Sequence, residues 1–301
     1  GNWACDNNSF TERSQRFFGN AFLKYSTKFG TDNHKLDVKY QIGDDAYTTN
    51  YSDIYGYGTT GYANGYASEY GFTVNEMNSL LTFTYNWNIN EDFVFDALLG
   101  NELVDKRISN TQAVGYSFNF PGWNHLNNAS VFNSSHEYKR KRTVGNFASL
   151  SLAWKNMLYL NVTGRNDIVS SMPRDNRSFF YPSISASWVI SDMINNRGKG
   201  MPEWFTYAKA RVSFAQVGND LDPYQLYNVY GIGSIYETGG TSASVSGSTL
   251  FNEDVRSELI SSWEAGAEVR FFNNRLGLDV AWYKSNAKRQ LLNLPMNSLS
   301  G

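Results

Sequence analysis

The sequence predicts an all-β fold, an antiparallel transmembrane β-barrel segment of about ten strands. Three observations predict this class. Apolar and polar residues alternate through much of the chain, which gives each strand one apolar and one polar face. Aromatic residues make up 16% of the 301 residues, although the mean hydropathy is only −0.46. The links between the alternating segments are alternately short and long.

Each strand is placed by its period-two pattern. Apolar Ile184, Ala186 and Trp188, for example, alternate with serines. Lys155-Asn156 and Asn273-Asn274 separate such segments and form tight turns, the asparagine pair being tolerant of left-handed backbone. The predicted strands are 13–28, 33–43, 74–89, 92–107, 141–155, 157–167, 179–191, 204–216, 256–272 and 275–291.

The links alternate in length along the chain, so the short links and the long links lie at opposite ends of the strands. The short set is 29–32, 90–92, 155–156, 192–203 and 273–274, and the long set is 44–73, 108–140, 168–178 and 217–255. Short periplasmic turns with long extracellular loops are typical of outer-membrane barrels. A soluble β-sandwich gives no reason for this sorting.

Tryptophans are predicted at the membrane interfaces, where amphipathic rings are favoured. Two of them lie beside short turns, and two others lie nine or ten residues from the turn at 273–274, about the crossing length of a tilted strand. The alternative is a set of core tryptophans in a soluble sandwich. The predicted interface residues are Trp87, Trp154, Trp188, Trp263 and Trp282.

Residues 1–301 are expected to be part of one transmembrane barrel domain. An unpaired strand edge in lipid leaves backbone groups unsatisfied, so we expect further strands outside this sequence. Both ends are accordingly expected to be cuts. No run of about 18 apolar residues occurs, and we predict no transmembrane helix.

Several function classes are disfavoured by composition and motifs. The net charge is −2, and the run 139–142 is the only strong basic cluster, so no nucleic-acid partner is predicted. No nucleophile elbow, phosphate-binding loop or zinc-protease motif occurs, so no catalytic residue is predicted. One cysteine and three scattered histidines predict neither a metal site nor a cofactor.

Aromatic residues in the long links are the candidate substrate-binding residues. Link 44–73 carries seven tyrosines among glycines, which are Tyr47, Tyr51, Tyr55, Tyr57, Tyr62, Tyr66 and Tyr70. An aromatic ring with a hydroxyl group offers sugars or peptides a stacking surface and a hydrogen bond. The six candidates are Tyr51, Tyr55, Tyr57, Tyr62, Trp123 and Tyr230. The alternative is that these rings pack a loop onto itself or onto another protein.

Three stretches resemble a known family. They are Gly164-Arg165-Asn166-Asp167 with 174–191, then 210–220, and then Trp263-Glu264 with 271–276 and 283–292. In this order they resemble phrases of the SusC/RagA family of TonB-linked outer-membrane proteins of Bacteroidota, over about 145–295. Residues 168–169 and 172–173 interrupt the small polar run usual after the first phrase.

The resemblance implies a barrel of about 22 strands, filled by a plug outside these residues. It also implies contact with TonB through segments outside these residues and a SusD-like surface lipoprotein over the outer opening. The expected activity is import of oligosaccharides or peptides. The expected location is the bacterial cell outer membrane, whose lipid surrounds the barrel wall. A passive porin or adhesin barrel is the first alternative. A soluble β-rich carbohydrate-binding module is the second.

Overall fold

The computed structural model describes residues 2–196, 198, 200–226, 230–234, 241–245 and 254–290. The strands are β1 (Asn8–Phe29), β2 (His34–Tyr55), β3 (Tyr66–Asn88), β4 (Phe93–Phe118), β5 (Ala129–Trp154), β6 (Leu158–Val169), β7 (Ser178–Val189), β8 (Phe205–Asn219), β9 (Tyr230–Ser234), β10 (Thr241–Val245), β11 (Glu258–Phe271) and β12 (Leu276–Lys288). Three short helical segments are α1 (Asn2–Asn7), α2 (Ile190–Asn196) and a 3₁₀ turn at Leu126–Asn128.

Ten strands form one antiparallel sheet in the order β1-β2-β3-β4-β5-β6-β7-β8-β11-β12, and β9 pairs with β10 separately. The predicted all-β fold and the strand number of the sheet are confirmed. Within the described residues the sheet remains open, because β1 and β12 are its two edges. The described helices are all too short or too polar to cross a membrane.

The tight turns form where the sequence predicts them. Lys155 and Asn156 have φ angles of 52° and 53°, and Asn273 and Asn274 have φ angles of 52° and 64°. Two consecutive left-handed residues are the backbone of a type I′ hairpin turn, whose twist matches that of the flanking strands. At the second turn Phe272 is also left-handed, with a φ of 54°, and residues 272–275 link the two strands. These turns fix the register of β5 with β6 and of β11 with β12.

The predicted loops 44–73 and 108–140 are wrong in extent. Strand β2 continues to Tyr55 and β3 begins at Tyr66, while β4 continues to Phe118 and β5 begins at Ala129. Only 56–65 and 119–128 are links. Beyond the apolar band both faces of a strand are polar, so the alternation that identifies strands from sequence stops while the backbone pairing continues.

The chain divides into two compact units. The first comprises 1–22, 41–79 and 103–142, and the second comprises 23–40, 80–102 and the described part of 143–301. The first has a small core in which Phe118, only 4% exposed, packs with Ala67 and Ala129, and Ile54 and Leu126 pack against it. That all of 1–301 belongs to one barrel domain stays a prediction.

The second unit carries its apolar side chains on an uncovered face. The exposed fractions are 43% for Leu150, 41% for Trp188, 49% for Val212 and 56% for Val280. Register places Leu150 beside Val162 and Val162 beside Ile184, so the apolar residues of neighbouring strands form continuous rows. An exposed apolar face of this extent needs an apolar environment, and a membrane supplies one.

Candidate substrate-binding surface

Ion pairs mark the polar face of the first unit. The guanidinium of Arg16 on β1 donates two hydrogen bonds to the Asp45 carboxylate on β2, at 2.8 and 2.6 Å. Lys106 Nζ on β4 lies 3.3 Å from Glu76 Oε2 on β3. Alternate residues of a strand share a face. Tyr51 and Tyr55 therefore lie on the same face as Asp45.

Aromatic rings continue along this polar face towards the link 56–65. Tyr51 stacks on Tyr70 with ring centroids 4.8 Å apart, and Tyr55 stacks on Tyr62 at 4.4 Å. Tyr66 contacts Tyr55, Tyr62 and Tyr116 at centroid distances of 5.8, 4.8 and 5.3 Å. Phe72 packs edge-on against Tyr47 at 5.9 Å. We call this set the tyrosine ladder: Tyr47, Tyr51, Tyr55, Tyr62, Tyr66, Tyr70, Phe72 and Tyr116.

The structure brings together three of the six sequence candidates. Tyr51, Tyr55 and Tyr62 are in the ladder. Tyr57 is exposed in link 56–65. Trp123 lies in link 119–128, where it stacks on His125 at 5.3 Å. The backbone of Tyr230 lies in β9, and its side chain lies outside the described residues.

The six sequence candidates omit five members of the ladder, which are Tyr66, Tyr70, Tyr47, Phe72 and Tyr116. The signal that could have found the first two is their spacing. Tyr62, Tyr66 and Tyr70 are four residues apart, as are Tyr47, Tyr51 and Tyr55. An even separation keeps residues on one face of a strand. The rings also pack on one another, as the alternative interpretation predicted for a self-packed loop.

The charged end of the ladder adjoins an open cavity of about 390 Å³, whose lining includes Arg16, Asp45, Tyr47, Glu76 and Lys106. The hydrogen bond from Arg16 lowers the pKa of the Asp45 carboxyl below its ordinary value. Next to Tyr51, burial and a hydrogen bond to Asp53 raise the pKa of the Tyr70 hydroxyl. At neutral pH the surface therefore offers fixed charges of both signs beside neutral phenols.

The Arg165 motif residue forms an ion network on the polar face of the second unit. Arg165 Nη2 donates to Glu102 Oε2 and Arg165 Nε donates to Asp167 Oδ1, both at 2.7 Å. Its guanidinium also lies 5.7 Å from the centre of the Phe147 ring. A Cβ atom at Gly145 would collide with Arg165 and Asp167. The absence of a side chain at Gly145 therefore leaves space for the ion network. The sequence alone did not indicate that Glu102 is a partner of Arg165.

The basic run 139–142 lies within β5. Arg140 and Arg107 both donate to the Asp105 carboxylate. Asp105 is twelve residues from the turn end of β4, beyond the roughly ten residues that span an apolar band. The hydrogen bonds from Arg140 and Arg107 hold the pKa of Asp105 well below its usual range.

We expect Asp105→Asn to lower the thermal unfolding midpoint of the full-length protein at pH 7. A lowered folded-state pKa stabilises the fold above the unfolded-state pKa of about 3.9, and this contribution is lost as the pH falls towards the folded-state value. The gap between wild type and variant should narrow below about pH 4. Asp175→Asn, at an exposed acid without an ion pair in the described part of the chain, is the control. A gap that is the same at every pH would contradict the expectation.

The predicted interface tryptophans occupy defined levels in the second unit. Trp87 and Trp154 lie at the turn ends of β3 and β5, and Trp188 pairs in register with Leu158 at the start of β6. Trp263 packs on Phe214 at 4.5 Å, and Trp282 pairs in register with Ala265. Their position at the membrane interfaces stays a prediction. The sequence analysis missed Trp204, which stacks on Phe271 beside the last turn at 6.0 Å.

Within the described residues, no three His, Cys, Asp or Glu side chains gather as metal ligands would.

The fold and this surface define a class of protein, the wall of a membrane-spanning β-barrel with an aromatic and charged polar face. The family model described as TonB dependent receptor-like, beta-barrel, matches residues 1–301. The chain belongs to this family, and it is part of the barrel of a TonB-dependent receptor or transporter in the bacterial outer membrane.

Named relatives agree with the family. The TonB-dependent receptor P26 of Formosa agariphila is 27% identical over 236 residues, which are 74% of this chain and 23% of that protein. The TonB-dependent receptor SusC of Bacteroides thetaiotaomicron is 26% identical over 166 residues, 53% of this chain and 16% of that protein. The matched regions therefore span less than a quarter of these relatives.

A solved structure has the same fold. The RagAB peptide transporter superposes with a TM-score of 0.86 at 21% identity, covering 98% of this chain and 32% of that chain. The predicted resemblance to the SusC/RagA family is confirmed. These relatives are named as receptors or transporters and not as enzymes.

Proposed function

We propose that the full-length protein is a TonB-dependent importer of oligosaccharides or peptides, and that this chain supplies part of its barrel wall and extracellular loops. The observation that carries the proposal is the tyrosine ladder on the polar face of the first unit. Eight aromatic rings on four neighbouring strand or link segments form two groups of four rings in mutual contact, and these flat surfaces suit sugar faces and peptide groups.

Two further features support binding rather than simple packing. The charged cavity beside Tyr47 can pair with charged groups of a passing molecule. The strands carrying the ladder belong to a hydrogen-bonded sheet, which holds the rings without the entropy loss of ordering a flexible loop. In this proposal Tyr57 and Trp123 belong to the outer part of the same binding surface, and Tyr230 on β9 stays a separate candidate.

A SusD-like surface lipoprotein completes the proposed importer. The side chain of Asn124 lies next to Gly56, since a Cβ atom at Gly56 would lie 2.8 Å from Asn124 Nδ2. The links 56–65 and 119–128 are therefore neighbours. Phe120 and Trp123 are exposed and stacked on each other at 6.0 Å. Rigid exposed aromatics of this kind are favoured at protein interfaces. TonB contact is assigned to segments of the full-length protein outside this chain.

The test is retention of cargo by the purified full-length importer. Wild type and the Tyr51→Ala/Tyr55→Ala double variant are mixed with a maltodextrin hydrolysate or with a tryptic peptide digest, and retained molecules are identified by mass spectrometry. Aromatic contacts contribute about 0.5–1.5 kcal/mol each. We therefore expect the double variant to bind the retained class about tenfold or more weakly.

Two controls separate binding from folding. Tyr138→Ala removes an exposed tyrosine of β5 that is not a member of the ladder, and the variant should bind as wild type does. Tyr51→Phe/Tyr55→Phe keeps the rings and should retain most of the affinity. Failure of the wild-type protein to retain either class would refute the import proposal. Equal retention by wild type and the alanine variant would show that the tyrosine ladder does not bind the cargo.

A further inference from the structure

A groove on the apolar face of the second unit has no role in the proposed import function. It has a volume of about 470 Å³, and its lining includes Phe83, Leu99, Ala148, Gly164 and Phe180. This volume lies within the range of about 300–1,000 Å³ typical of sites for small organic molecules. Phe83, Leu99 and Phe180 are exposed. The groove is therefore an apolar depression in the surface that faces lipid.

The groove exists because small side chains coincide on adjacent strands. Ala148 of β5 pairs in register with Gly164 of β6, and Gly164 pairs with Pro182 of β7. Larger side chains lie on both sides of this row. They are Leu150, Val162 and Ile184 on the side of the short turns, and Asn146, Asn166 and Phe180 on the other. The depression is thus set by strand register and not by a loop.

Three asparagines line the end of the groove that is remote from the turns. Asn101, Asn146 and Asn166 are each eight residues from the turn end of their own strand. A tilted strand crosses the apolar band in about ten residues. These amides therefore lie near the membrane surface on the side of the long links, and the apolar part of the groove lies in the adjoining leaflet.

The amides retain hydrogen-bonding capacity. Asn101 Nδ2 donates to Asn146 Oδ1 at 2.8 Å, which uses one donor and one acceptor of the pair. A carboxamide has two donors and two acceptor lone pairs, so Asn101 and Asn146 can each make further bonds. Amide groups at the end of an apolar trough match the junction of an acyl chain, where a carbonyl or hydroxyl group joins the chain to its headgroup.

We propose that this groove binds one acyl chain of lipid A, the outer-leaflet glycolipid. The chain lies over Ala148 and against the ring of Phe180, which itself covers Gly164, since a Cβ atom at Gly164 would lie 2.8 Å from the end of that ring. The amide or ester group at the head of the chain bonds to Asn101 and Asn146. The leaflet assignment follows from the level of the asparagines. Lipid A fits because its acyl chains are joined through amide as well as ester groups and carry hydroxyl groups near the junction.

The proposal is tested by native mass spectrometry of the full-length protein titrated with lipid A and, separately, with phosphatidylethanolamine. Ala148→Leu fills the trough with apolar atoms and keeps the surface apolar. Ala267→Leu, at an exposed alanine of the same unit outside the groove lining, is the matched control. We expect wild type and Ala267→Leu to retain one more tightly bound lipid A than Ala148→Leu.

A second variant tests the amide end without altering the trough. Asn101→Leu/Asn146→Leu should weaken lipid A binding about tenfold, since two hydrogen bonds of roughly 0.5–1.5 kcal/mol each are lost. Equal lipid A binding by wild type and Ala148→Leu would overturn the proposal. So would an equal loss in Ala148→Leu and Ala267→Leu, or retention of phosphatidylethanolamine in preference to lipid A.

Discussion

Replacing Gly65 with alanine is expected to loosen the small core of the first unit. Gly65 has a φ of 82°, and a Cβ atom there would collide with the ring of Phe118. The ring lies beside Ala67 and Ala129 with almost no exposure, so it cannot move aside without opening the core. The left-handed backbone costs about 1–2 kcal/mol for a residue with a Cβ atom, and overpacking adds about 1–3 kcal/mol.

Gly61→Ala is the matched control for this prediction. Gly61 has a φ of 86°, but a Cβ atom there would meet nothing within 4 Å. It therefore reports the backbone strain alone. Hydrogen exchange of the full-length protein should show faster exchange at Ser117 and Phe118, whose amides bond to the carbonyls of Gly65 and Asn64. We expect the acceleration to be about tenfold greater in Gly65→Ala than in Gly61→Ala. Equal exchange in the two variants would show that the collision is relieved without cost.

Replacing Arg165 with methionine is expected to have the second largest effect. The substitution removes the cation that Glu102 and Asp167 share and leaves both carboxylates without it. Exposed ion pairs contribute about 0–1 kcal/mol, whereas breaking a buried pair costs about 3–5 kcal/mol. The Arg165 side chain is partly exposed, so we expect a loss of about 1–3 kcal/mol, measured as a lower thermal unfolding midpoint of the full-length protein.

Two variants make this result specific. Arg270→Met removes an exposed arginine that pairs with Glu268 on the same strand, and should change the midpoint little. Arg165→Lys keeps the charge but cannot form the forked pair, and should lie between wild type and the methionine variant. If Arg165→Met is no less stable than Arg270→Met, the network has no structural role.

The sequence predicted most of the second unit because its signals are local. In 149–190, for example, the same residues that alternate in polarity also form β5, β6 and β7 with their turns. The period-two alternation is clear in these strands because one face contacts lipid and the other faces polar surroundings. The first unit was less predictable. Strands β2 to β5 continue past the apolar band, where neither face needs to be apolar, so the alternation there predicts loops in place of the extended strands.

Residue types and spacing alone determined the class of the chain, its turns and the supply of aromatic side chains. Only the tertiary structure decided which aromatics form one surface. Tyr66 meets Tyr116 at 5.3 Å across a strand pair, and Arg165 meets Glu102 across 63 positions of sequence. The alternation of apolar and polar residues along a strand predicts which face a side chain occupies. The register between strands decides which side chains of other strands it contacts. That register is set by turns and packing along the whole strand, which no local pattern contains.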